Sequence, residues 1–281
     1  MIPKAETSRD PIDGIIASLS DGEEVTLATV VGPRGLPAEF LGRKLLYLTD
    51  GRVEGSIGAW PVDLRVAREC AIHRQNGQTS VLLPIELSSD ECQDLGLAPG
   101  LKLELFIDLL TPSPSLLIIG GGHIAQPLCT VAQALGFSVT VMDDRASFAN
   151  CDRFPEADDI VVGYFEEELA RYPIHSSTYI IIVTRGHAYD QASLRAVIGS
   201  RAAYIGMIGS AHKVRTVMSN LAEAGVPKEQ MEKVYAPIGL DIGAETPAEI
   251  AVGIMAEIVN VRRRRKRHSA SLSQRPLSRR P

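Results

Sequence analysis

Leu116-Leu117-Ile118-Ile119-Gly120-Gly121-Gly122-His123-Ile124-Ala125 is the stretch from which the fold is read. Leu116 to Ile119 is continuously apolar, the pattern of a parallel strand covered on both faces. Three glycines follow without a gap. A helical pattern then begins, with Ile124, Leu128, Val131 and Leu135 on one face, and Gly136 stops it. A second apolar strand, Ser138 to Met142, runs into Asp143-Asp144-Arg145.

Strand, glycine turn, helix, strand and acid form the first half of a dinucleotide-binding, Rossmann-like fold. The turn reads G-x-G-x-x-A through Gly120, Gly122 and Ala125. Gly120 permits the tight turn, Gly122 lets the backbone approach a pyrophosphate, and Ala125 lets the helix pack near the strand. Phosphate would sit on free N–H groups at the helix start. Asp143 lies 23 residues after Gly120, near the offset of an acid that binds ribose hydroxyls. The same letters also suit a turn kept only for helix–strand packing, so the motif gains weight from its context.

Working outward, Thr111-Pro112-Ser113-Pro114-Ser115 is a linker, because its prolines interrupt any regular element. Residues 1–112 read as a small α+β domain. It has an amphipathic helix over 11–20 with Ile12, Ile15, Ile16 and Leu19 inward, and strands over 25–31, 43–48 and 52–57. A helix over 62–74 follows, with Val62, Val66 and Cys70 on one side, then strands over 79–87 and 101–110. Asp50-Gly51 marks a hairpin. Gly55 to Pro61 reads as a second glycine-containing turn.

Residues 113–262 read as alternating strands and helices, hence a doubly wound, mostly parallel sheet. Further strands are expected at 159–162, 179–184 and 203–208. A helix carries Leu194, Val197 and Ile198 with Asp190 as its cap. Another carries Val214, Val217 and Leu221 with Ser210 as its cap. Thr246-Pro247-Ala248-Glu249 is a capping box that starts a last helix with Ile250, Ile254 and Ile258 inward, ending near Val261.

Composition bounds the function. The chain has 281 residues, 45% hydrophobic and 22% charged, as in a soluble globular protein. No apolar run approaches the ~20 residues of a membrane span, and residues 1–10 lack the apolar core of a secretory signal. Cys70, Cys92, Cys129 and Cys151 include no C-x-x-C pair, so reduced thiols, a cytoplasmic location and no metal site are expected. The net charge of -5 is unevenly spread: residues 262–281 hold nine Arg or Lys and no acid. Such a run can bind nucleic acid or a membrane surface. Its Ser, Pro and Arg composition favours a solvated end, and residues 263–281 are read as a disordered basic tail. Neither nucleic acid nor membrane is expected as a partner.

Ligands of an open parallel sheet bind beyond the carboxyl ends of its strands. Four candidate loops qualify: Gly120–His123, Asp143–Arg145, Thr184–His187 and Gly206–Lys213. The candidate cofactor-binding residues are Gly120, Gly121, Gly122, His123, Asp143, Asp144, Arg145, Arg185, Gly186, His187, Gly209, Ser210 and Lys213. Arg185 suits bidentate phosphate pairing. His187 is the candidate acid or base, since imidazole titrates near neutral pH; equally, it and Arg185 can satisfy local carbonyls. Asp241 and Glu245 lie on a glycine-rich loop that could reach the crevice. No P-loop, nucleophile elbow or glycosidase carboxylate pair is present.

These segments resemble the xanthine dehydrogenase accessory factors, the XdhC/CoxI family. The resemblance lies in Ile118 to Ala125, Asp143-Asp144-Arg145 with Phe148 to Asn150 and Arg153 to Pro155, Val183 to His187 with Asp190, Ala203 to Ser210 with Lys213, and Pro237 to Pro247. It implies a chaperone that binds molybdenum cofactor, as molybdopterin or its dinucleotide form, and assists its maturation and insertion. The implied partners are a molybdenum hydroxylase such as xanthine dehydrogenase and a sulfurating cysteine desulfurase, and a homo-oligomer is expected. The N-terminal turn departs from the family's G-x-I-G-G-G-x-x-E, reading Gly55-Ser56-Ile57-Gly58-Ala59-Trp60-Pro61-Val62-Asp63. The alternatives on the same crevice are an NAD(P)-dependent oxidoreductase and a nucleotide-sensing regulator.

Overall fold

The computed structural model describes residues 11–76 and 80–264. The chain divides into two compact units, Met1–Pro112 and Ser113–Pro281.

The first unit runs α1 (Pro11–Ser20), β1 (Val25–Gly32), β2 (Lys44–Tyr47), β3 (Val53–Gly55), α2 (Trp60–Gln75), β4 (Ser80–Glu86), α3 (Ser89–Leu95) and β5 (Lys102–Leu110). Its strands form an antiparallel sheet of order β3-β2-β1-β5-β4. Alternation along β5 sends Leu103, Leu105 and Ile107 to the face covered by α2, where Val62, Val66 and Cys70 are fully buried. Asp50-Gly51 turns the β2–β3 hairpin. Gly51 sits at φ +86, and the Asp50 carboxylate accepts the Arg52 N–H at 2.9 Å.

Several expectations for this unit need correction. In α1, Ile15 packs on the second sheet face with Val25, Leu46 and Leu48, whereas Ile12 and Ile16 are exposed. Gly14 is the buried helix residue, because the Glu54 carboxylate occupies the space where a Cβ would stand. Trp60 and Pro61 belong to the first turn of α2 rather than to the glycine turn; proline is well placed there, where its missing N–H has no helical partner to lose. Helix α3 is an element that the hydrophobic pattern does not announce, although its capping signals are present. Ser88 and Glu91 form a reciprocal capping box, and Gly96 ends the helix at φ +68.

The second unit runs β6 (Ser115–Ile119), α4 (Ala125–Ala134), β7 (Ser138–Asp143), β8 (Asp159–Val162), α5 (Phe165–Arg171), β9 (Thr178–Ile182), α6 (His187–Val197), β10 (Tyr204–Met207), α7 (Ala211–Glu223), α8 (Lys228–Met231), β11 (Val234–Tyr235) and α9 (Pro247–Arg264). The sheet is parallel throughout, in the order β11-β10-β9-β6-β7-β8. The expected doubly wound fold is present. Leu116 and Ile118 face α4 and α9, while Leu117 and Ile119 face α5, α6 and α7. The apolar run is therefore continuous because each neighbour points into a different core. The chain leaves β6 toward β7 and β8, then returns to place β9 on the other side of β6. The topological switch point lies between β6 and β9, where such sheets bind ligands.

Here too the boundaries differ in places. Helix α6 starts at His187 with Gly186 as its N-cap, so Asp190 is an interior residue and not the cap. Helix α5, with three glutamates in its first turn, adds an element beyond those expected between β8 and β9. Leu135, expected inward on α4, is exposed at its end. Helix α9 continues through Arg264, past the expected end of the domain at 262. The rest of the expected basic tail, 265–281, lies outside the described residues, as does Thr79.

Candidate functional site at the switch point

Each glycine of the turn does something different. Gly120 adopts φ +108, and a Cβ there would stand 2.6 Å from the Val183 carbonyl oxygen. Only glycine lets β6 and the end of β9 approach this closely. A Cβ on Gly121 would meet the Phe148 carbonyl oxygen at 2.6 Å. Gly122 has nothing within 4 Å of the equivalent point, so among the three it leaves the backbone open to a ligand. His123 beside it is exposed.

Asp143, at the end of β7, is 2% exposed. Its Oδ2 accepts the Gly121 N–H at 2.9 Å and Arg145 Nη2 at 3.2 Å. Its Oδ1 accepts the Arg145 backbone N–H at 3.1 Å and Arg145 Nε at 2.9 Å. Burial alone would raise its pKa, but the Arg145 guanidinium and the Gly121 N–H outweigh burial and hold the carboxyl below the ordinary value. A carboxylate has about four acceptor positions, and these four donors fill them. Asp143 therefore locks the glycine turn to the end of β7.

Asp144 takes the next charge. It lies 3.5 Å from Arg145 Nε and accepts Arg185 Nη2 at 2.7 Å. Arg185 also donates to the Tyr189 hydroxyl at 2.8 Å and lies over that ring at 4.6 Å. Arg145 lies 3.5 Å over the Phe148 ring. Arg153 donates to the Gly121 carbonyl at 3.1 Å and approaches Phe148 at 5.1 Å. Stacking suits the flat, weakly hydrated guanidinium. Three arginines and two aspartates thus surround the turn, leaving one net positive charge among these five groups.

The loop after β9 is tied to the helix after β10. The Thr184 hydroxyl donates to Asp190 Oδ1 at 2.6 Å. Asp190 is fully buried and its other oxygen is ion-paired with Lys213, whose side chain is 15% exposed. Lys213 thus turns inward instead of presenting its ammonium at the Gly209-Ser210 turn. Ser210 caps α7 by accepting the Lys213 N–H at 3.2 Å, in agreement with its sequence position. Gly186 and His187 stand at the start of α6; the His187 side chain lies outside the described part. Asp241 accepts the Gly243 N–H at 3.3 Å in a local turn, and Glu245 and Thr246 donate to Glu249 of the capping box.

Contacts thus link the four loops expected to converge: Gly121 with Asp143, Gly120 with Val183, Asp144 with Arg185, and Thr184 through Asp190 with Lys213. Arg153, Phe148 and Tyr189 join the site although none is among the candidate binding residues; Phe148 and Arg153 lie in segments that carry the family resemblance, and Tyr189 has no signal in its sequence position. Only folding of the 144–154 loop back over the turn brings the first two there. A separate cavity of about 360 Å³ lies beside α4, lined by Gln126, Thr130, Arg153 and Glu156 among others. It lies along the helix rather than at the strand ends. Burial pushes the Cys129 thiol on its wall to about 11, with Glu156 and Asp158 adding to the effect, so it stays protonated at neutral pH.

In the first unit, Asp63 does for the N-terminal turn what Asp143 does for the second. It accepts the Ile57 N–H at 2.7 Å and the Ser56 hydroxyl at 2.6 Å, and is itself 3% exposed. Burial raises its pKa despite those bonds. Arg43 braces the same turn by donating to the Ile57 carbonyl at 3.0 Å. No described helix is long and apolar enough to cross a membrane.

Comparison with known proteins agrees with this architecture. Residues 116–258 match the XdhC Rossmann domain, and residues 18–84 match the XdhC and CoxI family. The chain is 28% identical over 237 residues to the uncharacterized protein YqeB of Escherichia coli, covering 84% of this chain and 43% of that protein. It is 32% identical over 160 residues to a probable xanthine dehydrogenase subunit of Bacillus subtilis, covering 57% of this chain and 46% of that one. It therefore spans less than half the length of these curated relatives. The solved structure of a protein described as a xanthine dehydrogenase from Bacillus halodurans shares the fold, with a TM-score of 0.51 at 20% identity over 94% of this chain and 99% of that one. With its Rossmann domain matched across half the chain and its N-terminal unit matched as well, this protein belongs to the XdhC and CoxI family.

Proposed function

We propose that this protein is an accessory factor for a xanthine dehydrogenase-type molybdenum hydroxylase, that it carries molybdenum cofactor as cargo in the switch-point crevice, and that it assists maturation and insertion of that cofactor. The observation that carries this reading is the family match over 116–258, which coincides with the unit holding the crevice. The donor set fits such a cargo. Gly122 leaves the backbone open, and the Arg145, Arg153 and Arg185 guanidiniums stand around the turn to meet a phosphate. The cofactor supplies the redox-active metal to the recipient enzyme; this chain's residues hold the phosphate end and shield it. A cysteine desulfurase as sulfur donor and a homo-oligomeric state belong to the same proposal.

The NAD-dependent oxidoreductase reading loses its main support, because the Asp143 acceptors are filled from within the protein. The deciding experiment is a titration of the purified protein with molybdenum cofactor alongside NAD(H), followed by transfer to an apo-hydroxylase. Near-stoichiometric cofactor binding with recovery of hydroxylase activity is expected. Binding of NAD(H) alone would overturn the proposal.

A further inference from the structure

At the end of β7 a Rossmann site ordinarily offers a carboxylate to the 2′- and 3′-hydroxyls of a ribose, or an arginine to a 2′-phosphate. This chain has both residues, and their arrangement decides between them. Asp143 receives four N–H donors, three of them from Arg145, and is nearly inaccessible. A ribose diol would find no free acceptor on Asp143, and Asp144 beside it is already paired with Arg185 and close to Arg145. Arg145 is 30% exposed on its side chain and Arg185 39%, against 3% for Asp143 and 12% for Asp144, so the arginines are the more accessible charges. Both guanidiniums are oriented in advance by stacking, Arg145 on Phe148 and Arg185 on Tyr189. Arg153 contributes a third cation with no carboxylate partner among the described residues.

We infer that the subsite at the end of β7 selects a dianionic phosphomonoester and rejects an unphosphorylated ribose diol. Two sources share that chemistry. One is the 2′-phosphate of a dinucleotide. The other is the terminal phosphate of molybdopterin, which its dinucleotide form joins to a nucleotide bearing a ribose diol. Charge and donor geometry carry this selectivity whether or not molybdenum cofactor is the ligand.

The test is calorimetric titration of the full chain with two pairs of probes: NADP+ against NAD+, and molybdopterin against its dinucleotide form. In at least one pair the phosphomonoester member should bind about tenfold to a hundredfold more tightly, the range of charge-assisted hydrogen bonds. Which pair discriminates identifies the source. Arg145→Ala should erase the preference and, by freeing Asp143, raise affinity for the diol member. Arg145→Lys, which keeps the charge and loses the fork, should retain only part of the preference, and it decides the matter if the alanine variant fails to fold. Equal binding within both pairs, an undiminished preference in folded Arg145→Ala, or no binding of any of the four probes overturns the inference. Failure of cofactor transfer to a hydroxylase would defeat the functional proposal and leave this one standing.

Discussion

Lys213 on α7 places its ammonium against the carboxylate of Asp190 on α6, a residue without solvent exposure. The pair joins two helices on one face of the sheet and fixes the loop that carries Arg185, because Asp190 also takes the Thr184 hydroxyl. Removing one partner of a buried ion pair leaves an uncompensated charge, which costs about 3–5 kcal/mol. Lys213→Met is expected to lower unfolding stability by that amount in denaturant titration. The double variant Lys213→Met, Asp190→Leu should recover much of it. A loss under about 1 kcal/mol in the single variant, the range of exposed pairs, would show that the pair is not buried in solution.

Gly120 and Gly122 should respond in opposite ways. Gly120→Ala forces a Cβ into the Val183 carbonyl at an unfavourable φ, so a loss of about 2 kcal/mol or more is expected in thermal or chemical unfolding. Gly122→Asp has room, so stability should stay within about 0.5 kcal/mol of the parent. It should nonetheless abolish binding of a phosphate-bearing ligand by filling and charging the approach. Unchanged affinity would disprove the crevice assignment.

Two buried aspartates give stability opposite pH dependences. The Asp143 pKa is lowered on folding, so its contribution is present above the unfolded value of about 3.8 and is lost as pH falls through the lower folded value. The Asp63 pKa is raised, so its contribution is fullest below 3.8 and declines as pH rises through the folded value. Asp63→Asn should therefore weaken the decline in stability above pH 3.8, and Asp143→Asn should remove part of the acid-side loss. Unfolding free energies measured from roughly pH 2.5 to roughly pH 7 with no change in either slope would contradict both assignments.

Tyr204, nearly fully buried, donates to Glu257 of α9, whose carboxylate also accepts the Gly239 N–H at 3.0 Å. Burial and then the Glu257 carboxylate raise the tyrosine pKa, so the phenol stays neutral and serves as donor. Tyr204→Phe leaves that carboxylate short of one donor and should cost about 1–3 kcal/mol in chemical denaturation. The ring stack on Tyr235 should survive. Faster amide exchange at Gly239 would show that the loop after β11 depends on this bond, and unaltered exchange would show that it does not.

Much is legible in the chain itself. The run 116–119 declares a strand buried on both sides, because its neighbours alternate between two apolar cores. Ser210 and the Thr246–Glu249 box are readable as caps because capping is local chemistry, settled within four residues. The α3 capping box is equally local, but its short helix offers too few turns for a hydrophobic period to mark it.

The sequence by itself determined the doubly wound fold, the place of the glycine turn and the identity of most residues gathered at it. Those follow from periodicity and from backbone geometry that only glycine permits. Tertiary structure alone decided what those residues face. It turned Asp143 onto Gly121 and Arg145, sent Lys213 to Asp190, and brought Arg153 back across Phe148. A charged side chain's partner is set by whichever opposite charge or donor is close in three dimensions once both leave water. Asp190 and Lys213 are 23 positions apart, and Gly121 and Arg153 are 32 apart. No sequence period encodes such distances.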